Sequence, residues 1–127
     1  MLRPIPQKIL TDTLILKRPT GFNVYQEAQY ETIIVKKVHV QSSNDIKLSS
    51  ATNTEVTLKA IAYIDGRISK PQLNYSEIEY EAQRIGGTCK AKVKHTYGIE
   101  PGEYTVVTVE PIPDDNGLIH HYEIGLI

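Results

Sequence analysis

The sequence predicts a small, mostly β, antiparallel domain, either a barrel or a sandwich, and three observations predict it. About six stretches are rich in β-branched and apolar residues, several in strict alternation. Short turns of Gly, Pro, Asp and Asn separate them at the spacing of all-β folds. The chain has 127 residues, 40% of them hydrophobic. That is enough for one core in one domain, residues 1–127, without staples.

Pro4 and Pro6 keep the first residues extended and out of a helix, so 1–10 reads as an arm that lies along something. Residues 12–17 form the first strand, which Pro19-Thr20-Gly21 stops. Tyr30 to Val40 is a longer strand, with Tyr30, Thr32, Ile34, Lys36, Val38 and Val40 on one face. Gln41 to Thr54 is dominated by Ser, Thr and Asn and repeats at neither 2 nor 3.6 residues. It reads as a loop of about a dozen residues, a length that is usually functional or disordered.

Glu55 to Ile64 is the third strand, with Val56, Leu58, Ala60, Ala62 and Ile64 sharing a face, and Asp65-Gly66 turns after it. Asn74 to Gly87 admits two readings. Ile78, Tyr80 and Ala82 alternate as in a strand. Ser76-x-x-Glu79 has the form of a capping box, and Gly86-Gly87 would end a helix, so a short helix is preferred. From Thr88 to His95, Cys89, Ala91 and Val93 face in and Lys90, Lys92 and Lys94 face out. Glu103 to Glu110 is a strand, Pro111 to Gly117 a turn region, and Leu118 to Leu126 the last strand. The expected core includes Val56, Leu58, Val93, Val106, Tyr122 and Ile124.

Fourteen basic and fifteen acidic side chains leave a net charge of −1. That balance argues against tight binding of free nucleic acid, which needs a basic surplus to release counterions. A single cysteine, Cys89, cannot form an internal bridge, so a reducing compartment is the default. No apolar run is long enough to span a bilayer, and Met1 to Pro6 lacks the apolar region of a signal peptide.

The residues offer no catalytic apparatus and no cofactor site. Cys89 and His95 share a strand face but lie roughly 20 Å apart along it, which is too far for a nucleophile and its base. Cys89 therefore reads as core. Neighbours on a strand point to opposite faces, so His120 and His121 are not expected to share a metal ion. His120 is expected to be the more buried, since it alternates with Leu118, Tyr122 and Ile124. His121 shares its face with Glu123 and could pair with it. Asp114-Asp115 lies among turn residues and lacks calcium-loop spacing. The Lys90, Lys92 and Lys94 stripe is either a solvated face or guarded edge strand, or a surface meeting phosphate or an acidic partner. Eight tyrosines and no tryptophan are scattered too widely for a base-stacking platform.

Three groups of residues in order carry a resemblance. They are Arg3-Pro4-Ile5-Pro6 with Ile9-Leu10, then Tyr63-Ile64-Asp65 with Ser69-Lys70-Pro71, and last Glu103-Tyr104-Thr105-Val106 with Ile119-His120-His121-Tyr122-Glu123-Ile124. Together they resemble the minor capsid proteins of tailed bacteriophages and prophages, although Gln72 to Pro101 departs from that pattern. The resemblance implies a virion protein of the head–tail neck, similar to the stopper or head-completion proteins. Those form a ring, six- or twelve-fold, below portal and adaptor and above the tail proteins, and close the channel on packaged DNA. By the same resemblance the loop would project into the channel through Ser43, Asn44, Asp45, Ile46, Lys47 and Leu48. Arg3, Pro4, Ile5, Pro6, His121 and Glu123 would meet partners. An adaptor or tail-completion protein without a gate is the alternative. A small enzyme or ligand-binding barrel is a third class, disfavoured because no polar set converges.

Overall fold

Strand pairing in this protein returns on itself. The computed structural model describes residues 7–49, 53–95, 98–99 and 103–127. A 3-10 turn (Gln7–Ile9) leads into β1 (Asp12–Phe22), β2 (Ala28–Ser42), β3 (Ile46–Leu48), β4 (Glu55–Thr57) and β5 (Ala60–Asp65). Helix α1 (Tyr75–Arg84) follows, then β6 (Lys90–His95), β7 (Gly98–Ile99), β8 (Tyr104–Pro113) and β9 (Ile119–Leu126). The main sheet runs β1-β2-β5-β9-β8-β6, with β7 beyond β6, and β6 also pairs with β1. Every pairing is antiparallel. The fold is thus mostly β, a small barrel or sandwich, as the alternation predicted.

The core lies inside the ring. Leu14 and Leu16 enter from β1, Val35, Val38 and Val40 from β2, and Ala60, Ala62 and Ile64 from β5. Ala91 and Val93 of β6, Val106 of β8 and Ile124 and Leu126 of β9 complete it. The alternation of β6 is as read, with Cys89, Ala91 and Val93 buried and Lys92 and Lys94 exposed. Helix α1 adds Tyr75, Ile78 and Ala82. Its cap is Asn74, whose Oδ1 accepts the N–H of Glu77 at 3.1 Å, so Ser76 lies inside the helix and is not the capping residue. Gly86 at φ 81° receives the chain at the far end, and Gly87 donates to the carbonyl of Ala82. That is a Schellman closure, which favours glycine for its left-handed residue.

Several boundaries differ from the sequence reading. β1 runs on through Pro19 to Phe22 because Pro19 pairs with Tyr30 at a position where β1 need donate no N–H. β2 does not keep one face from Tyr30 to Val40. Lys37 takes φ 60° and shifts the register, so Val35 and, past the shift, Val38 and Val40 point inward while Ile34 faces solvent. The stretch 55–64 is two strands. Between them the Leu58 N–H bonds to the Asp45 carbonyl and the Lys59 N–H to the Leu126 carbonyl, each at 2.8 Å. Leu58 is buried but in a second cluster with Ile61 and Val107, and Val56 is only partly buried against it.

The segment 41–54 is not a structureless loop. Its first two residues extend β2, and Ile46–Leu48 pairs with Glu55–Thr57 as a two-stranded flap. The second cluster, with Leu58 over Gly125 and Val107, fastens this flap to the outer face of β8 and β9. A Cβ at Gly125 would stand 2.4 Å from Thr108 Oγ1 and 3.0 Å from a methyl of Leu58, so only glycine admits this approach. The arm is likewise not extended through residue 10, since Gln7–Ile9 forms a 3-10 turn and Leu10 is buried. Residues 1–6 lie outside the described residues.

Candidate assembly surfaces

The flap presents two sides. Ile46 and Leu48, two residues apart, are 64% and 58% exposed on one of them. Lys47, between them, reaches Glu110 of β8 at 3.5 Å. Ser43 accepts the Asp45 N–H on its hydroxyl at 3.0 Å and gives its own N–H to Lys59, so the entry to the flap is tied down. Asn44 is exposed. The side chains expected to project into a channel are therefore divided, the apolar pair outward and the lysine toward β8.

The central motif builds the bulge in β2. Asp65 is buried and its carboxylate accepts the N–H groups of Arg67 and Ile68 at 2.7 and 2.8 Å. The Ser69 hydroxyl accepts the Asp65 N–H and donates to the Lys37 carbonyl. Lys70 exchanges both main-chain hydrogen bonds with Lys36, and a cis peptide joins it to Pro71. Ser69 and Lys70 thus bond to β2 from one short turn, which the Asp65 carboxylate holds together.

His120 and His121 depart from the sequence reading. Their Nδ1 atoms stand 2.8 Å apart and both side chains are partly buried, so the rings meet and His120 is not the distinctly buried one. The register shift between Ile112 and Pro113 opposite them breaks the alternation that was assumed. His121 also meets Glu123, Nε2 to Oε2 at 3.4 Å. Among the described residues no three His, Cys, Asp or Glu side chains cluster as a metal site.

The Lys stripe lies on β6, which is flanked by β1 and β8 rather than forming an edge, so the edge-guarding reading is corrected. Lys90 donates to Thr105 Oγ1 at 3.0 Å, and Lys92 and Lys94 point to solvent. Cys89 is 3% exposed. Burial, then the Glu79 carboxylate, pushes its thiol up to about 11, with Arg18 pulling weakly the other way. Such a thiol carries almost no thiolate near neutrality. The side chain of His95 lies outside the described residues.

No family model, curated protein or solved structure matches this chain.

Two surfaces escaped the sequence reading. On the outside of the sheet, His39 stacks on Tyr63 at 6.0 Å, Tyr63 meets His121 at 5.9 Å and His121 meets His120 at 5.0 Å. Gln41 donates to the Tyr63 hydroxyl at 3.2 Å. Burial, then Glu123 and Asp45, raises the Tyr63 phenol. The ribbon spans three strands, and only the outward parity of His39, Tyr63 and His121 could have hinted at it. At the other end, the β1–β2 turn exposes Val24 and Tyr25, with Asn23 Oδ1 accepting the N–H groups of Tyr25 and Glu27 beneath them. Exposed aromatic and apolar tips of this kind suit protein interfaces.

Proposed function

We propose that this chain is a structural subunit of a phage neck, a stopper that assembles into a ring under the portal and adaptor and holds packaged DNA. The observation that carries the reading is the flap, which displays Ile46 and Leu48 to solvent while Leu58 and Lys47 fasten it to the barrel. Repeated around an axis, that pair forms an apolar constriction. The near-neutral charge of the chain suits a passage that DNA must later cross. The order of the three motif groups supports the same assignment, and the subunit would belong to the virion neck after assembly in the host cytoplasm. Portal or adaptor above and tail proteins below are the partners, with Lys90, Lys92 and Lys94 available for weak contact with DNA.

The test replaces residues 43–52 with a short Gly-Ser turn. Ring formation by native mass is expected to persist, and heads lacking tails are expected to leak their DNA. Heads that keep their DNA exclude the gate and leave the adaptor or tail-completion role, which the apolar tip at Val24 and Tyr25 would serve as a joining surface.

A further inference from the structure

β2 has an open edge. It pairs with β5 only over Val38 to Ser42, and beyond the Lys36–Lys70 bridge its far side has no strand partner among the described residues. The direction of its backbone groups follows from that bridge. Lys36 donates its N–H to the Lys70 carbonyl and accepts the Lys70 N–H on its own carbonyl, away from β1. Residues two apart on a strand share that direction, so Ile34, Thr32 and Tyr30 also turn theirs to the open edge. Pro19, with no N–H, sits opposite Tyr30, as a non-bonded pair permits. A row of outward donors and acceptors of this kind is a template for another strand.

Beside the edge runs a groove between β2 and the start of α1. Ile33, Leu73 and Ile78 supply its apolar surface, and Glu31, Glu77 and Glu81 its acidic rim. Arg18 reaches Glu31 at 3.0 Å and is the one basic side chain among the described residues that line it. The occupant that fits is extended, apolar and basic.

We infer that the edge Tyr30–Ile34 accepts residues Arg3 to Pro6 of a second copy of this chain as an added strand. The inference rests on the ring reading and names its contact. Arg3 and Ile5 each precede a proline and so favour extended backbone. Their N–H groups have the same parity, and Pro4 and Pro6 fall at the alternate positions, where no donor is needed. Parallel addition places Arg3 beside Glu31 and Ile5 beside Ile33. Ile5 then donates to the Thr32 carbonyl and accepts from the Ile34 N–H. The prolines leave the new outer edge without donors there, which stops further addition. Gln7–Ile9 of the same chain lies against β2, so the same segment on its own edge is the competing occupant, and the experiment separates the two. The contact joins unlike patches, so it can repeat head to tail and closes into a ring where the rotation between copies permits.

The experiment uses two full-length proteins in a Cys89→Ala background, one carrying Ile5→Cys and the other Ile33→Cys. Mixed under mild oxidation, they are expected to give a covalent heterodimer. Thr32→Pro in the second protein, which removes the central outward N–H and spares the β1 ladder, is expected to cut the yield at least tenfold, with circular dichroism unchanged. Absence of the heterodimer overturns the inference. So does a chain carrying both cysteines that yields only an internally bridged monomer, since the segment then lies on its own edge. A yield that Thr32→Pro leaves intact also overturns it. The cross-link reads contact between copies and DNA retention reads the neck role, so failure of one is distinguishable from failure of the other.

Discussion

Ser69 donates its hydroxyl to the main-chain carbonyl of Lys37, 32 residues away, at the point where β2 bulges. The same oxygen accepts the Asp65 N–H at 2.8 Å, so one fully buried side chain serves a turn and a distant strand together. Ser69→Ala leaves two main-chain groups without their partner. An unsatisfied buried group costs about 1–3 kcal/mol, and a loss of that size is expected in urea denaturation. An unchanged midpoint would contradict the role given to this serine.

Gly125 sets how closely the flap approaches the main sheet. Gly125→Ala drives a methyl against Thr108 Oγ1 and Leu58. Overpacking of this kind costs about 1–3 kcal/mol. The strain is expected to fall on the flap first, because three-residue strands hold it beside the second cluster. Limited proteolysis should then cut near 53–57 faster than in the parent protein. Adding Leu58→Ala should relieve part of the clash, giving less than the sum of the two losses.

Cys89 and Tyr75 make the protein sensitive to alkali. Both are raised by burial, the thiol to about 11 from 9.0 and the phenol to about 12 from 10.0. Each folded-state value exceeds its unfolded one, so the folded state holds the proton longer. The stability these groups contribute is complete below pH 9 and falls as the unfolded chain ionises first. The loss from Cys89 levels off above about 11 and that from Tyr75 above about 12. Melting temperature is expected to decline from about pH 9 upward, less steeply in Cys89→Ala. At pH 8 the native thiol should resist a water-soluble disulfide reagent that modifies it once urea is added. Rapid native modification would remove Cys89 from the core.

Alternation made most of the ring legible. β6 reads inside-out from Cys89 to Lys94 because each of its inward residues meets one continuous core. β2 could not be read that way. Its parity changes at Lys37, where the carbonyl is taken by Ser69, and no local pattern around Lys37 announces that partner. The break at Leu58 has the same origin, since Asp45 and Leu126 take the N–H groups that a continuous strand would have spent elsewhere. The flap was hidden for a different reason. Three-residue strands are too short to show a period, and the apolar side of Ile46 and Leu48 faces water rather than the core. The meeting of His120 with His121 needed the register shift across from them, which is a property of β8 as much as of β9.

Ile46 and Leu48 provide the sharpest separation of folding from the proposed role. Both are more than half exposed and neither belongs to either buried cluster. Ile46→Ser with Leu48→Ser is therefore expected to change stability by no more than about 0.5 kcal/mol, the range of surface substitutions. Leu58→Ala, ten residues beyond Leu48, removes a fully buried side chain and should cost about 2–5 kcal/mol. If the flap is a gate, the order of effects reverses in particles. The serine pair would abolish an apolar constriction that excludes water and should release DNA from tailless heads at full subunit occupancy. Val56→Thr, which touches the second cluster from the other strand of the flap, should leave retention intact once the ring has formed. Heads that hold their DNA with both serines present would show that the exposed pair does not close a channel, and its apolar surface would then be left to a contact with another protein.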